Sequence, residues 1–309
     1  MSKVEYVTVK EQDDGVRLNR WFLKYYPNLP LSRLQKLLRT KQIKVDSKKI
    51  DTSYKLAVGQ VIRIPPLSEE RTTDSQFVVS KKDAEFINGL VIYKDENIIV
   101  LNKPSGLAVQ GGSGLVRYID KMLPALCFEK SENPKLVHRI DKDTSGLLVL
   151  ARDRKNAEIL TKAFKDKLIT KTYLAIVRGV PPKNKMMIDA PLIKNGEKMA
   201  VGSEGQKSLS KIEVIDTQAK QWALVKCEPM TGRKHQLRAH LEYINTPILG
   251  DDKYYGKERL KLKDVADKLY LHAYKIDLSS IYKNVIIKAD LPKYFNETLQ
   301  SLFLEFKDF

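Results

Sequence analysis

Residues 138–151 set a polar turn directly ahead of an apolar run. His138-Arg-Ile-Asp-Lys-Asp-Thr-Ser-Gly leads into Leu147–Ala151, which reads as a strand. Such a turn can hold an acid, Asp141, beside a cation, Arg139, at the mouth of a cleft, while the strand behind fixes their position. The same pattern limits what the chain can become. Its apolar runs, only four to six residues long, are far too short to cross a bilayer, so neither a span nor a membrane partner is expected. Read without context, an Asp on a polar turn is a turn former or a helix cap, and a Tyr in an apolar strand, such as Tyr173, is core.

The 309 residues are enough for two domains, and a 42% hydrophobic content fits a soluble globular protein. The segment Met1–Lys10 carries Lys3, Glu5 and Lys10 with no apolar stretch after them, so no signal peptide is expected. Cys127 and Cys227 lie far apart, and His138, His235, His240 and His272 show no zinc-like spacing. The expectation is no disulfide, no metal and no cofactor, in a chain that works in the cytoplasm as a monomer.

The net charge is +17, and its distribution says more than its size. Residues 15–64 hold twelve Lys and Arg against only Asp46 and Asp51. That concentration on one small module fits a polyanionic partner better than a merely solubilising surface.

The same module has a legible plan. Leu18, Trp21, Phe22 and Tyr25 recur with the period of a half-buried helix, ended by Pro27 and Pro30. Ser32 is expected to cap a second helix with Leu34, Leu37 and Leu38 turned inward, and Arg33, Lys36 and Thr40 on another face. Ile43–Val45 and Val61–Ile64 read as short strands. Residues 65–84 read as a linker, opening with Pro65–Pro66 and poor in apolar residues. From 85 to 309 the strands expected are Val91–Tyr93, Ile98–Leu101, Thr172–Val177, Trp222–Cys227, Leu269–Ile276 and Val285–Ile287. Asp153 is placed to cap a helix carrying Ala157, Leu160, Phe164 and Leu168, and Leu299, Leu302, Phe303 and Phe306 suggest a closing helix. Strands interspersed with helices, without regular alternation, make the fold class α+β, built on a mixed, mainly antiparallel sheet. Gly111-Gly-Ser-Gly is not a phosphate loop, because no Gly-Lys-Ser/Thr follows it.

Four segments of the larger region carry a family resemblance in order. They are Leu101-Asn-Lys-Pro-Ser-Gly-Leu, the Asp141 segment, Lys171-Thr-Tyr-Leu-Ala-Ile-Val, and Thr231-Gly-Arg-Lys-His-Gln-Leu-Arg-Ala-His, the last running on to Pro247-Ile-Leu-Gly-Asp. Together they resemble the RluA-type pseudouridine synthases, whose motif reads His-Arg-Leu-Asp followed by Thr-Ser-Gly; here Ile140 keeps the apolar character of the usual Leu. The run from Asn102 through Gly114 and Leu115 is most like the branch acting on large-subunit ribosomal RNA, and residues 15–64 are similar to the αL-type RNA-binding domain of ribosomal protein S-four.

The resemblance implies a reaction and a set of roles. The bond from ribose to nitrogen 1 of uracil breaks, the base turns, and it rejoins through carbon 5; nothing enters or leaves, so no cofactor is required. Asp141 is implied as the catalytic carboxylate, attacking the anomeric carbon or removing a ribose proton, two routes that stay open. Tyr173 is implied to stack on the base and take the carbon-5 proton, and Arg238 to pair with Asp141 and favour its charged form. Arg139 is implied to enter the RNA helix where the uridine leaves it. Arg233 and Lys234, with Arg33, Lys36, Arg39 and Lys41 of the small module, are expected to contact RNA. For His138, His235 and His240, structural hydrogen bonding is expected in place of acid–base work. The partner expected is ribosomal RNA; the alternatives are a synthase acting on transfer RNA, or an inactive RNA-binding assembly factor. A glycosidase pair of Asp141 and Asp143 is disfavoured, since two such close neighbours do not face each other across a sugar.

Overall fold

The computed structural model describes residues 4–26, 29–67, 79–111, 115–255 and 265–308. It comprises two compact units, residues 1–78 and 79–309. The expected ranges 15–64 and 85–309 are therefore short at their starts: a strand precedes residue 15 and a helix begins before residue 85. Residues 68–78 of the expected linker, and Pro27, lie outside the described residues.

In the first unit, β1 (Glu5–Thr8) is followed by α1 (Leu18–Tyr25), α2 (Leu31–Arg39), β2 (Lys44–Val45) and β3 (Val61–Ile64). The strands form an antiparallel sheet in the order β1-β3-β2. Leu18, Trp21 and Phe22 of α1 pack with Leu34 and Leu38 of α2 and Ile62 and Ile64 of β3 in one core. Tyr25 lies at its edge: its ring, 39% exposed, packs on Trp21 with 4.8 Å between centroids, and its hydroxyl donates to Asp13 at 2.7 Å. Ser32 does not cap α2, because the helix already starts at Leu31, behind Pro30.

In the second unit, α3 (Lys81–Asn88) is capped by Ser80, whose hydroxyl accepts the Asp83 N–H, and buries Ile87. Then come the hairpin β4 (Val91–Lys94) and β5 (Ile98–Lys103), α4 (Ile119–Met122), β6 (Lys135–Leu136), β7 (Ser145–Ala151) and α5 (Arg154–Lys165). Five strands follow β8 (Thr170–Arg178) before α6 (Gln236–Tyr243), namely β9 (Lys185–Asp189), β10 (Leu192–Asn195), β11 (Lys198–Val201), β12 (Leu209–Gln218) and β13 (Trp222–Pro229); β14 (Leu271–Asp277), β15 (Ile286–Lys288) and α7 (Lys293–Ser301) complete the unit. The large sheet runs β4-β5-β7-β14-β8-β13-β12-β9, with β6 on β7 and β15 on β14. Every pairing is antiparallel except β7 with β14, so the sheet is mixed and mainly antiparallel, as the sequence indicates.

The run Leu147–Ala151 is continuously apolar because β7 is covered on both faces. Leu147, Val149 and Ala151 pack with Leu160 and Ala163 of α5, while Leu148 and Leu150 pack with Ile87 of α3 and Ile119 and Met122 of α4. Burying each such side chain stabilises by roughly 1.5–3 kcal/mol, which makes β7 a stiff base for the turn ahead of it. At Gly146, φ is +100° and an added Cβ would lie 2.3 Å from the Ala273 carbonyl oxygen, so only glycine permits the parallel approach of β14 there.

Two apolar readings needed correction. The helix capped by Asp153 ends at Lys165, leaving Leu168 outside it and exposed. The closing helix lies earlier than expected, burying Phe295 and Leu299; Leu302 and Phe306 follow its end, and Phe303 is 77% exposed with φ +53°. Among the described residues no helix is long and apolar enough to cross a membrane.

Candidate active site

Asp141 sits on the turn between β6 and β7, and its neighbours fix it from behind. Ile140 is buried in the core beneath the turn, and Arg139 and Asp141 beside it line a cavity. His138 accepts the Val149 N–H at Nε2 (2.9 Å) and stacks on Phe164 at 4.4 Å. Loss of solvent, then the charge of Lys171, push its pKa down to about 3, so the imidazole is a neutral acceptor, as the hydrogen-bonding expectation has it. From the other side the end of β5 and the segment after it clamp the turn. Lys103, fully buried, donates Nζ hydrogen bonds to the carbonyls of Pro104, Leu107 and Lys142 at 2.8–2.9 Å. Ser105 donates to the Asp143 carbonyl at 2.7 Å, and Gly106 N–H to the Lys142 carbonyl at 3.0 Å. Burial lowers the Lys103 pKa to about 7, opposed by Asp143 and Asp141.

Arg238 comes from α6, a helix buried on all sides from Gln236 to Leu241. Its Nη1 lies 3.8 Å from Asp141 Oδ2, but its tight partner is Asp251: Nε to Oδ2 and Nη2 to Oδ1, both 2.7 Å, with Asp252 at 3.3 Å. The pairing with Asp141 that the resemblance implies is thus the loosest of three, and Asp251 sets the guanidinium's orientation. Burial works against the arginine's charge, yet the bidentate bond to Asp251 outweighs it and the pKa is raised. Asp251 Oδ1 also accepts the Lys253 and Tyr254 N–H groups, at 2.9 and 3.0 Å. Gly250 ahead of it has φ +73° and would put a Cβ 1.8 Å from the Lys268 carbonyl oxygen, so the chain enters this turn only through glycine.

His240 hydrogen-bonds Ser210 (3.0 Å) and the Ala190 carbonyl (2.9 Å), a structural role as expected. His235 is different. Its Nδ1 lies 3.0 Å from the Tyr254 hydroxyl, while Nε2 lies 4.0 Å from Asp141 Oδ2, which brings it into the site.

These groups open on a cavity of about 590 Å³, within the range of small-ligand sites. The turn 138–141, β8, the end of β13, the start of α6 and the end of α5 line it. Tyr173 projects from β8 into it; burial, then the charge of Asp141, raise its pKa and hold it as the neutral phenol. Lys165, Lys167 and Lys171 add positive charge to the wall. Of the residues named from sequence, Arg139, Asp141, Tyr173, Arg233 and Arg238 converge here. Arg139 reaches Gln110 Oε1 at 3.5 Å, and Arg233 Nε the Lys207 carbonyl at 3.3 Å. Lys234 does not line the cavity; its ammonium lies 3.5 Å from the Glu197 carbonyl. Arg33, Lys36 and Arg39 ride on α2 of the other unit, with Lys41 just after it; Lys36, Arg39 and Lys41 are exposed and Arg33 is half-buried. Among the described residues no cluster of three or more His, Cys, Asp or Glu side chains is arranged to hold a metal ion. Residues 112–114 of the glycine run lie outside the described residues.

Sequence reasoning gave no role to Lys103 or Asp251, and none to Tyr254. The first two stand inside the quoted segments, so their positions were on view and their partners were not.

Residues 97–243 match the family model of RNA pseudouridylate synthases. The chain is 34% identical to ribosomal large subunit pseudouridine synthase C of Vibrio vulnificus, over 97% of each chain. It is 32% identical to the protein of the same name from Escherichia coli, over 94% of this chain and 93% of that one. A solved structure of human RNA pseudouridylate synthase domain containing 4 superposes with a TM-score of 0.64 at 30% identity, covering 73% of this chain and 97% of that one. With near full-length similarity and the Asp141 turn in place, the chain belongs to the RluA-type pseudouridine synthases.

Proposed function

We propose that this protein isomerises uridines of large-subunit ribosomal RNA to pseudouridine, with Asp141 as the catalytic carboxylate. The observation that carries the reading is a partly exposed carboxylate, 29% accessible, set in a basic cavity with Tyr173 on one side and a buried arginine held by a second acid on the other. Relatives named for the large ribosomal subunit support the choice of RNA.

The cavity is suited to a nucleotide extruded from its stack, since a paired base is inaccessible in place. The lysines and arginines of its wall meet the flanking phosphates. Asp141 acts on the ribose, attacking C1′ or removing a ribose proton, as N1 leaves. Tyr173, a neutral phenol, stacks on the freed base and relays the carbon-5 proton by passing on its own as it takes another. Arg238 supplies a fixed positive charge beside Asp141, and Arg139 at the exposed edge takes the place of the extruded base. The first unit acts as the αL-type RNA-binding module, with Arg33, Lys36, Arg39 and Lys41 as phosphate contacts; Arg233 and Lys234 serve the same purpose in the second unit. The protein works as a cytoplasmic monomer.

The test is tritium release from an unmodified large-subunit ribosomal RNA transcript labelled at carbon 5 of uridine. The wild-type chain releases tritium and Asp141→Asn does not, while binding RNA as before. Turnover by a clean Asn variant would refute the role of Asp141, and faster release from a transfer RNA transcript would reassign the substrate.

A further inference from the structure

We infer that His235 and Tyr254 form a positioning pair that aims an N–H at Asp141, so that Arg238 and His235 together hold one oxygen of the carboxylate and leave the other for the ribose. The inference rests on the reading of Asp141 as the catalytic carboxylate.

The backbone gives the first indication. His235 has φ +52°, in the left-handed region that costs a side-chain-bearing residue free energy, at the entrance to α6. That conformation places a buried imidazole between Tyr254 and Asp141. One tautomer gives every hydrogen of this chain of contacts an acceptor. The Tyr254 hydroxyl oxygen already accepts the Met199 N–H at 2.7 Å, and its own hydrogen finds an acceptor in His235 Nδ1, 3.0 Å away. An imidazole accepting at Nδ1 carries its proton on Nε2. Nε2 lies 4.0 Å from Asp141 Oδ2, and Arg238 Nη1 lies 3.8 Å from the same oxygen. Both contacts are a little longer than hydrogen bonds, and catalytic contacts of this kind tighten when substrate is held. Two donors on Oδ2 leave Oδ1 as the reacting oxygen.

The groups facing the ring are Asp141, Arg238, Lys234, Lys253 and Tyr254. Burial lowers the imidazole pKa, Asp141 opposes this, and the three cations add to it, so the ring is neutral at working pH. It supplies direction, not charge. The ring edge-on to Tyr254, 5.7 Å between centroids, and the Arg238 guanidinium 5.1 Å over the same tyrosine ring tie both donors to one support.

Tyr254→Phe is the discriminating variant, because it keeps the ring under Arg238 and removes only the hydroxyl. The imidazole proton is then free to sit on Nδ1, turning the Nε2 lone pair toward Asp141; protonation restores an Nε2–H whichever tautomer is favoured. Single-turnover tritium release from the carbon-5-labelled ribosomal RNA transcript is expected to fall on the order of tenfold relative to wild type at pH 8 with RNA affinity unchanged, and to recover toward wild type only well below the ordinary imidazole pKa of about 6.5, because burial and the neighbouring cations hold the ring's pKa down. His235→Asn and His235→Gln give an independent readout. Asn accepts the left-handed backbone better than Gln, but its amide reaches only the place of Nδ1, whereas Gln reaches that of Nε2. The inference expects Gln to retain more turnover than Asn, and a role confined to backbone stability expects the reverse. A Tyr254→Phe variant turning over like wild type at pH 8, or Asn matching Gln, would overturn the pair. A wild-type chain that released no tritium would instead refute the catalytic reading beneath it.

Discussion

Asp251→Asn should damage both stability and turnover, and the damage follows from which oxygen does what. Among the described residues, Oδ1 accepts the Lys253 and Tyr254 N–H groups and Arg238 Nη2, while Oδ2 accepts Arg238 Nε. An Asn therefore keeps its carbonyl oxygen on the backbone amides and turns its NH₂ toward Nε–H, setting donor against donor. Arg238, 2% exposed, loses its buried counter-charge and, among the described residues, keeps the exposed Asp252 and the looser Asp141. Breaking a buried ion pair from one side costs about 3–5 kcal/mol. Part is recovered as the guanidinium swings onto Asp141, so a net loss of about 2–4 kcal/mol is expected in urea unfolding of the second unit, with m unchanged. The same swing ties up the carboxylate. If it strengthens the Asp141–Arg238 contact by about 1.4 kcal/mol that must be broken before reaction, turnover falls about tenfold, and RNA affinity does not. Unfolding by urea and tritium release at saturating RNA measure the two effects on one preparation. A variant as stable as wild type with unchanged turnover would refute the claim that Asp251 holds Arg238 in place.

Gly146→Ala should cost about 3 kcal/mol or more, read as a lowered unfolding midpoint, because its Cβ would meet the Ala273 carbonyl oxygen at 2.3 Å where φ is +100°. Stability should fall on acidification through His138: its folded pKa of about 3 lies below the ordinary imidazole value of 6.5, so the unfolded chain takes a proton the folded chain refuses. This contribution is complete above pH 6.5 and is lost as pH falls toward 3, and His138→Gln, which still accepts the Val149 N–H, should flatten the midpoint-against-pH curve there. His272, with a folded pKa of about 4, acts with the same sign and should leave a residual slope. The fragment 79–309 should fold and turn over RNA at saturation, but bind it more weakly with a shallower dependence of log affinity on log salt; an unchanged salt slope would show that the first unit is not an RNA anchor.

What the sequence determined by itself is local. The period of Leu18, Trp21 and Phe22, the Asp153 cap accepting the Asn156 N–H at 2.8 Å, and the apolar run of β7 each declare an element within a dozen residues. The order of the quoted segments identified the chemistry, and Asp141, Tyr173 and Arg238 fell in one cavity. Where local pattern misleads, the reading failed for a visible reason. Helix α6 is buried all round and has no amphipathic stripe to announce it, and Leu302, Phe303 and Phe306 continue an apolar spacing past the point where α7 ends.

Only the tertiary structure decided who holds whom. Asp251 is thirteen residues from Arg238, and Asp141 lies far from both in sequence, so no spacing could show that the arginine's tight partner is Asp251. Lys103 read as one motif residue among others until the fold laid the Asp141 turn across its ammonium. His235 read as a structural histidine because its neighbours in sequence say nothing of Tyr254, which reaches it from beyond the end of α6. Side-chain identity is written along the chain, whereas the hydrogen-bond partners that fix a tautomer or aim a guanidinium are supplied by strands and turns that meet only when the sheet closes.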